Sequence, residues 1–576
     1  MCRRSRSGYP TPRGVDTRIG RWVSSATRVR GPRERGARWP DPGPMEEAPM
    51  HVLTRIAVAA LAWSLLASAW AVNHGLPMRM AITQDEGTLT PYTYQTGYPG
   101  YELMTLIYEQ LFLMDEDLVP QPWLAASLDI HDDVHYRIEL REGVMWQDGT
   151  PFTADDVAFS IGYYQTHVLG RFTTSANKVV DVEVASDLEV TLTLAAPDAG
   201  FVQTGLADLP MLPRHVWEGI DEPRNMTEAM GTGPYRLIEY QPEQFYRLAA
   251  NDEYWGPEPA FDTLIAAVIR DETATFQALQ AGEIDVAVRP VPAGTVERFE
   301  AARDIDVQQG AGFPSTILIM DVTQPGLDDV RVRQVIASSI DYVRLVDILL
   351  LGYGTLGTPG FLHPANPFAN PDTAEYERIT PEQVAGRLGE AGYTRGGDGV
   401  FENADGVRLA FEFLAPANNP TRLRAAELIA LDLNAAGIRV TVRSIENEAL
   451  VQRAWPDFDV SQGRDFELSM FGWSAPVNAQ ANLRGLLHSD TTKGTLNLSG
   501  YGDPEVDRLT DEALVTTDPD ARRELLYRVQ ERLADDLPLI TLFYQDGIYA
   551  YRPAAYDGWT YMAGQGIIHK GSFLRR

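Results

Sequence analysis

Val134 to Tyr164 reads VHYRIELREGVMWQDGTPFTADDVAFSIGYY, and its reading decides the fold. Tyr136, Ile138 and Leu140 alternate with Arg137, Glu139 and Arg141, the period of a strand with one face buried. Asp148-Gly149-Thr150-Pro151 then supplies turn chemistry, because glycine admits positive φ and proline fixes its own. Thr153 can cap a helix, with Asp156 three residues on in the Glu/Gln place of a capping box. Val157, Ile161 and Tyr164 recur at helical spacing. Periodicity alone thus gives one supersecondary unit: strand, turn and capped helix.

The wording of the stretch is more specific. Leu140-Arg141-Glu142-Gly143-Val144 followed by Asp148-Gly149-Thr150-Pro151-Phe152-Thr153-Ala154-Asp155-Asp156-Val157 resembles the signature of the family-five solute-binding proteins, the peptide- and nickel-type receptors of ABC importers. Three further stretches resemble family motifs in the same order: Gly231-Thr232-Gly233-Pro234-Tyr235, Asn251-Asp252-Glu253-Tyr254-Trp255, and Ala278-Leu279-Gln280-Ala281-Gly282-Glu283-Ile284-Asp285. Tyr501-Gly502-Asp503-Pro504-Glu505-Val506-Asp507 and Leu537-Pro538-Leu539-Ile540 resemble the last ones.

That resemblance implies an α/β fold of the two-lobe periplasmic binding protein type, with a hinge and an extra α+β domain. We expect lobe I to be built from 72–118, 231–314 and 541–576, the extra distal domain from 119–230, and lobe II from 315–540. Within these limits a strand is expected at Met78–Thr83 and a helix at Glu102–Phe112. A second helix, from Arg422 to Ala436 and stopped by Gly437, precedes the strand at Ile438-Val440-Val442. Thr541-Leu542-Phe543-Tyr544 reads as the strand that crosses back to lobe I.

The first 49 residues carry eleven Arg, no Lys and no apolar period, so they cannot build a core. We read 1–49 as a mis-assigned start rather than a nucleic-acid-binding arm. Residues 50–71 read as a secretory signal peptide: Arg55 precedes the apolar run Ile56 to Leu66, and Ala69-Trp70-Ala71 offers an A-x-A cleavage site. The run is shorter than a membrane-spanning helix needs. The only cysteine is Cys2, so the secreted chain has neither disulfides nor a lipid-anchor cysteine, and a periplasmic protein is expected. Removing the twelve arginines and five acids that precede position 72 leaves 37 basic against 75 acidic residues, a net charge of −38. Such a surface repels nucleic acid and anionic membrane.

Signs of catalysis are weak. Gly352-x-Gly354-x-x-Gly357 satisfies the dinucleotide pattern but follows a helical stretch and precedes Thr358-Pro359-Gly360, the wrong context for a pyrophosphate. His131 and His135 are four apart, and on one strand they would stand roughly 13 Å from each other, so no metal site is expected. No G-x-S-x-G, H-E-x-x-H or Walker loop occurs, and no cofactor is implied. The chain does not read as an enzyme.

The strongest candidate site is Glu467-Leu468-Ser469-Met470-Phe471-Gly472-Trp473-Ser474-Ala475. An apolar strand ends here in a glycine, which admits close approach, beside the broad face of Trp473. By resemblance this is the strand edge that pairs with an extended peptide. Trp473 would stack, Gly472 and Ser474 would offer backbone groups, and Tyr92 and Tyr94 in the loop from Pro91 to Tyr101 would line the facing wall. Two positions depart from the peptide receptors: Pro476 stands where an aspartate commonly meets the ligand's α-ammonium, and Met470 replaces a basic residue. A buried ammonium needs a carboxylate, so either another acid supplies it or the ligand has no free α-amine.

The expected function is therefore the periplasmic substrate-binding component of an ABC importer. As a monomer it would capture a peptide or peptide-like solute by hinge closure and deliver it to the permease subunits. The alternatives are the same receptor class for an oligosaccharide, opine-like conjugate or metal chelate, and a periplasmic chaperone or sensor that has lost transport.

Overall fold

A computed structural model describes residues 77–373, 375–473 and 478–575. The expected signal peptide at 50–71 and the arginine-rich stretch before it lie outside the described residues. Three sheets organise the rest. The first has seven strands in the order Asp306–Gly310, Gly547–Tyr551, Val286–Ala287, Met78–Ile82, Thr263–Val268, Phe245–Ala250 and Tyr235–Gln241. Met78–Ile82 lies inside it, parallel to both neighbours. Like most parallel strands covered on both faces, it is apolar throughout, except for Arg79. That guanidinium is held by Asp285, Nε to Oδ2 at 3.0 Å and Nη2 to Oδ1 at 2.7 Å. The aspartate that ends the Ala278 to Asp285 motif is thus structural.

The second sheet has six strands, ordered Gly354–Leu356, Leu539–Gln545, Ser315–Met320, Leu468–Trp473, Ala410–Pro416 and Arg439–Ile445. Its inner strand Ser315–Met320 is buried along its whole length. Leu318 and Met320 point into one core with Ile429 and Leu433 of the helix Pro420–Ala436. Ile317 and Ile319 point into another, with Leu483, Leu509, Leu526 and Leu533 from the three helices Ala479–Leu487, Pro504–Val515 and Pro519–Asp536. Helices on both faces of one sheet make this an α/β layer. The Pro420–Ala436 helix ends on Gly437 at φ 91°, as the sequence predicts.

A third, four-stranded antiparallel sheet, Ala125–His131, His135–Leu140, Glu189–Leu194 and Val179–Ser186, carries the opening stretch. Asp156 here does more than cap. Its carboxylate accepts from the Thr153 amide (3.0 Å), the Trp146 indole (3.2 Å) and the Arg214 amide (3.0 Å), joining strand, turn and helix.

Three expectations change. The helix expected at Glu102–Phe112 spans Gly100–Thr105. It stops because the carbonyls of Leu106 and Ile107 accept from the amides of Tyr235 and Gly233, which arrive from the next motif. A methyl on Gly231 would fall 2.0 Å from the Ile107 oxygen, which explains the glycines there. Secondly, the strand at 541–544 does not cross back: Leu539–Gln545 stays in the six-stranded sheet, and Gly547–Tyr551 begins the seven-stranded one, with Asp546 alone between them. Thirdly, His131 and His135 do not lie along one strand. Asp132 and Asp133 take positive φ, closing a hairpin that sets the two histidines opposite each other. Among the described residues no group of three His, Cys, Asp or Glu side chains is placed to hold a metal ion.

The chain passes between the two large sheets twice, at Gly310–Ser315 and at Gln545–Gly547. The passages touch: a methyl on Gly312 would lie 2.0 Å from the carbonyl oxygen of Gln545.

Candidate ligand-binding site

The strand Leu468–Trp473 has unequal sides. Ser315–Met320 pairs with all of it, from Met320 opposite Leu468 to Ser315 opposite Trp473. Ala410–Pro416 pairs only with Leu468 and Ser469. Among the described residues Met470 to Trp473 therefore presents an edge without a strand neighbour, with backbone donors and acceptors that an added strand can satisfy.

Arg422 flanks this edge from the first turn of Pro420–Ala436. Its guanidinium occupies the space a side chain at 472 would take, since a methyl on Gly472 would fall 1.4 Å from Nη2. Among the described residues the guanidinium has no carboxylate or hydrogen-bond partner, and burial pulls its pKa below the usual value. Sequence reading noted a missing basic residue at Met470, which is fully buried, and missed that Arg422 brings a cation to the same strand. Trp473 is half-buried, its ring 6.0 Å from Phe471 and 6.3 Å from Trp455. Ser474 and Pro476 lie outside the described residues.

Tyr92 and Tyr94 of the 91–101 loop pack against other rings. Tyr92 is only 4 % exposed. Its ring stacks on Tyr164 at 5.8 Å, Tyr163 and Trp217 enclose it, and its hydroxyl donates to the His167 carbonyl. It packs the 91–101 loop against the helix Ala154–Thr166, and no ligand can stack on it there. Tyr94 is half-buried, edge-on to Tyr101 and near Phe172.

A cavity of about 620 Å³ opens beside that loop. Tyr98, Tyr101, Glu102, Gln110, Arg171 and Asp208 line one part of it, His569 and Lys570 another. Asp208 accepts Arg171 Nε (2.9 Å) and Nη2 (2.5 Å), and the guanidinium lies 3.8 Å over the Tyr101 ring. Nothing in the sequence links positions 171 and 208.

Residues 119–494 match the family model described as "Bacterial extracellular solute-binding proteins, family 5 Middle". The chain belongs to this family. The family 5 chain is 25% identical over 490 residues to the oligopeptide-binding protein AppA of Bacillus subtilis, covering 83% of its own length and 87% of the relative's. It is 29% identical over 497 residues to protein XP55 of Streptomyces lividans, at 84% and 85% coverage. Among solved structures, the substrate-binding protein CtaP of Listeria monocytogenes superposes with a TM-score of 0.73 at 21% identity, over 87% of the family 5 chain and 99% of CtaP. Other similar proteins are named for binding di- and tripeptides, heme and glutathione, and a similar solved structure, at 24% identity, is titled a nickel ABC transporter. No helix among the described residues of the family 5 chain is long and apolar enough to cross a membrane.

Proposed function

We propose that this family 5 protein is the periplasmic substrate-binding component of an ABC importer, taking a peptide or peptide-like solute. The observation that carries the reading is the open strand edge from Met470 to Trp473, flanked by the unpartnered Arg422. Backbone pairing along such an edge gives affinity without reading side chains, and a free guanidinium beside it suits a carboxylate. Trp473 supplies a stacking face and Gly472 the clearance. Closure about the two passages between the sheets would desolvate the ligand, and the closed form would be presented to the permease.

The rest of the reading comes from sequence: export by the 50–71 signal peptide with cleavage after Ala71, no lipid anchor, and a monomer in the periplasm. The domain limits stated above belong to the same proposal, with the return to lobe I moved from 541 to Asp546.

Mass spectrometry of whatever co-purifies, with thermal-shift screening, tests the ligand class. Stabilisation by free peptides of two to five residues is expected. Stabilisation by oligosaccharides or nickel chelates, with none by peptides, would overturn the peptide reading.

A further inference from the structure

The cavity beside the 91–101 loop holds two basic side chains, and both are already satisfied. Lys570 is bound to Glu109, whose oxygens accept Lys570 Nζ (3.0 Å), Trp123 Nε1 (2.7 Å), Tyr254 OH (2.8 Å), Thr232 Oγ1 (2.9 Å) and Trp255 Nε1 (2.9 Å). Arg171 is bound to Asp208 through both of its nitrogen types. His569 is neutral near pH 7, because burial pushes its pKa down to about 4, and its Nε2 is engaged by Thr560 and Ser572.

Two acceptors are not satisfied. The carboxyl of Glu102 has no hydrogen bond or ion pair among the described residues, and burial pushes its pKa up to about 7 against the opposing pull of Arg171. Gln110, only 2 % exposed, donates from Nε2 to the Tyr101 hydroxyl at 3.1 Å. That hydroxyl donates onward to the Asp208 carbonyl at 2.9 Å. The relay fixes the orientation of the amide and leaves Gln110 Oε1 as a buried acceptor without a partner. A fully buried acceptor left unmade is costly, and an uncompensated carboxylate more so.

A carboxylate and an amide oxygen in one cavity, with every nearby cation already committed, are complementary to a group that is cationic and rich in donors. We propose that Glu102 and Gln110 form an acceptor subsite for a protonated primary amine of the ligand. An ammonium has three donors and one positive charge, enough to satisfy both acceptors and to hold Glu102 ionised. The inference rests on the peptide-receptor reading and adds to it where the amine sits.

The test uses the mature chain freed of co-purified ligand, the E102Q variant, and two lysine-free pools of tripeptides that differ only in N-acetylation. The wild type is expected to bind the free-amine pool about a hundredfold more tightly than the acetylated pool at pH 7.5. In E102Q the ratio is expected to fall to about threefold or less, with affinity for the acetylated pool unchanged. The wild-type ratio should also shrink at pH 5.5, where Glu102 is protonated in the free protein. E102Q removes a carboxyl that has no partner, so its thermal midpoint should not fall. An equal ratio in both proteins, or a preference for the acetylated pool, would overturn the subsite and leave the peptide reading standing. If neither pool binds, the peptide reading falls and the subsite with it.

Discussion

The Lys570 ammonium lies 3.0 Å from Oε1 of Glu109, 461 positions away in sequence, and both side chains are shut off from solvent. This pair draws the family motifs together. Thr232 comes from the second motif, Tyr254 and Trp255 from the third, and all three donate to the same carboxylate. Removing one partner of such a pair leaves a buried charge, which costs about 3–5 kcal/mol. Lys570→Met should therefore lower the unfolding free energy by that amount, read as a lower urea midpoint at unchanged slope. Glu109→Gln should cost at least as much, since it also weakens four other hydrogen bonds.

Trp473→Ala should reduce affinity for a bound peptide by about tenfold or more, as loss of an aromatic stacking face does. Its half-buried ring touches Phe471 and Trp455 only at the margin of a core, so the fold should survive. Titration calorimetry with a co-purified peptide decides the point, and unchanged affinity would remove Trp473 from the site.

Gly472→Ala tests Arg422 indirectly. The new methyl would displace the guanidinium, which can swing away because it is the end of a flexible chain. Stability should change by less than about 1 kcal/mol, while affinity for ligands with a free carboxylate should fall more than affinity for their amides.

Three groups shape stability around pH 5.5: the buried His363 and His569, and the half-buried Glu102. His363 and His569 are held neutral, with pKa values pushed down by burial to about 4. Near pH 5.5 the unfolded chain binds almost two protons there that the folded chain does not, so both stabilise less as pH falls. Glu102, raised to about 7, acts in the opposite sense: the folded protein holds a proton that the unfolded one releases. The net is one proton, or roughly 1.4 kcal/mol lost per pH unit on acidification. In E102Q the opposing group is gone, and the slope should rise to roughly 2.8 kcal/mol per unit by the same linkage. Chemical unfolding at pH 4.5, 5.5 and 6.5 measures both.

What the sequence reveals here divides along physical lines. Local rules carried the capped helix after Thr153, the Gly437 stop and the strand ending at Trp473, because each depends on residues a few positions apart. The Gly100–Thr105 helix was misjudged because its continuation competes with amides arriving from Gly233 and Tyr235, about 130 positions later. Arg422, Glu102 and the Arg171–Asp208 pair escaped notice for the same reason. Their roles come from which charges the fold leaves uncommitted, and no local pattern encodes that. Tyr92 is placed on a binding wall by the family resemblance of its loop, whereas its hydroxyl is spent on the His167 carbonyl and its ring on Tyr163 and Tyr164.

The two passages between the large sheets lie so close at Gly312 and Gln545 that not even a methyl fits between them, and one of them is a single residue long. With the two crossings in contact at one point, the hinge closure proposed above would turn the two sheets about that point, and a permease touching both could gauge occupancy from the angle alone.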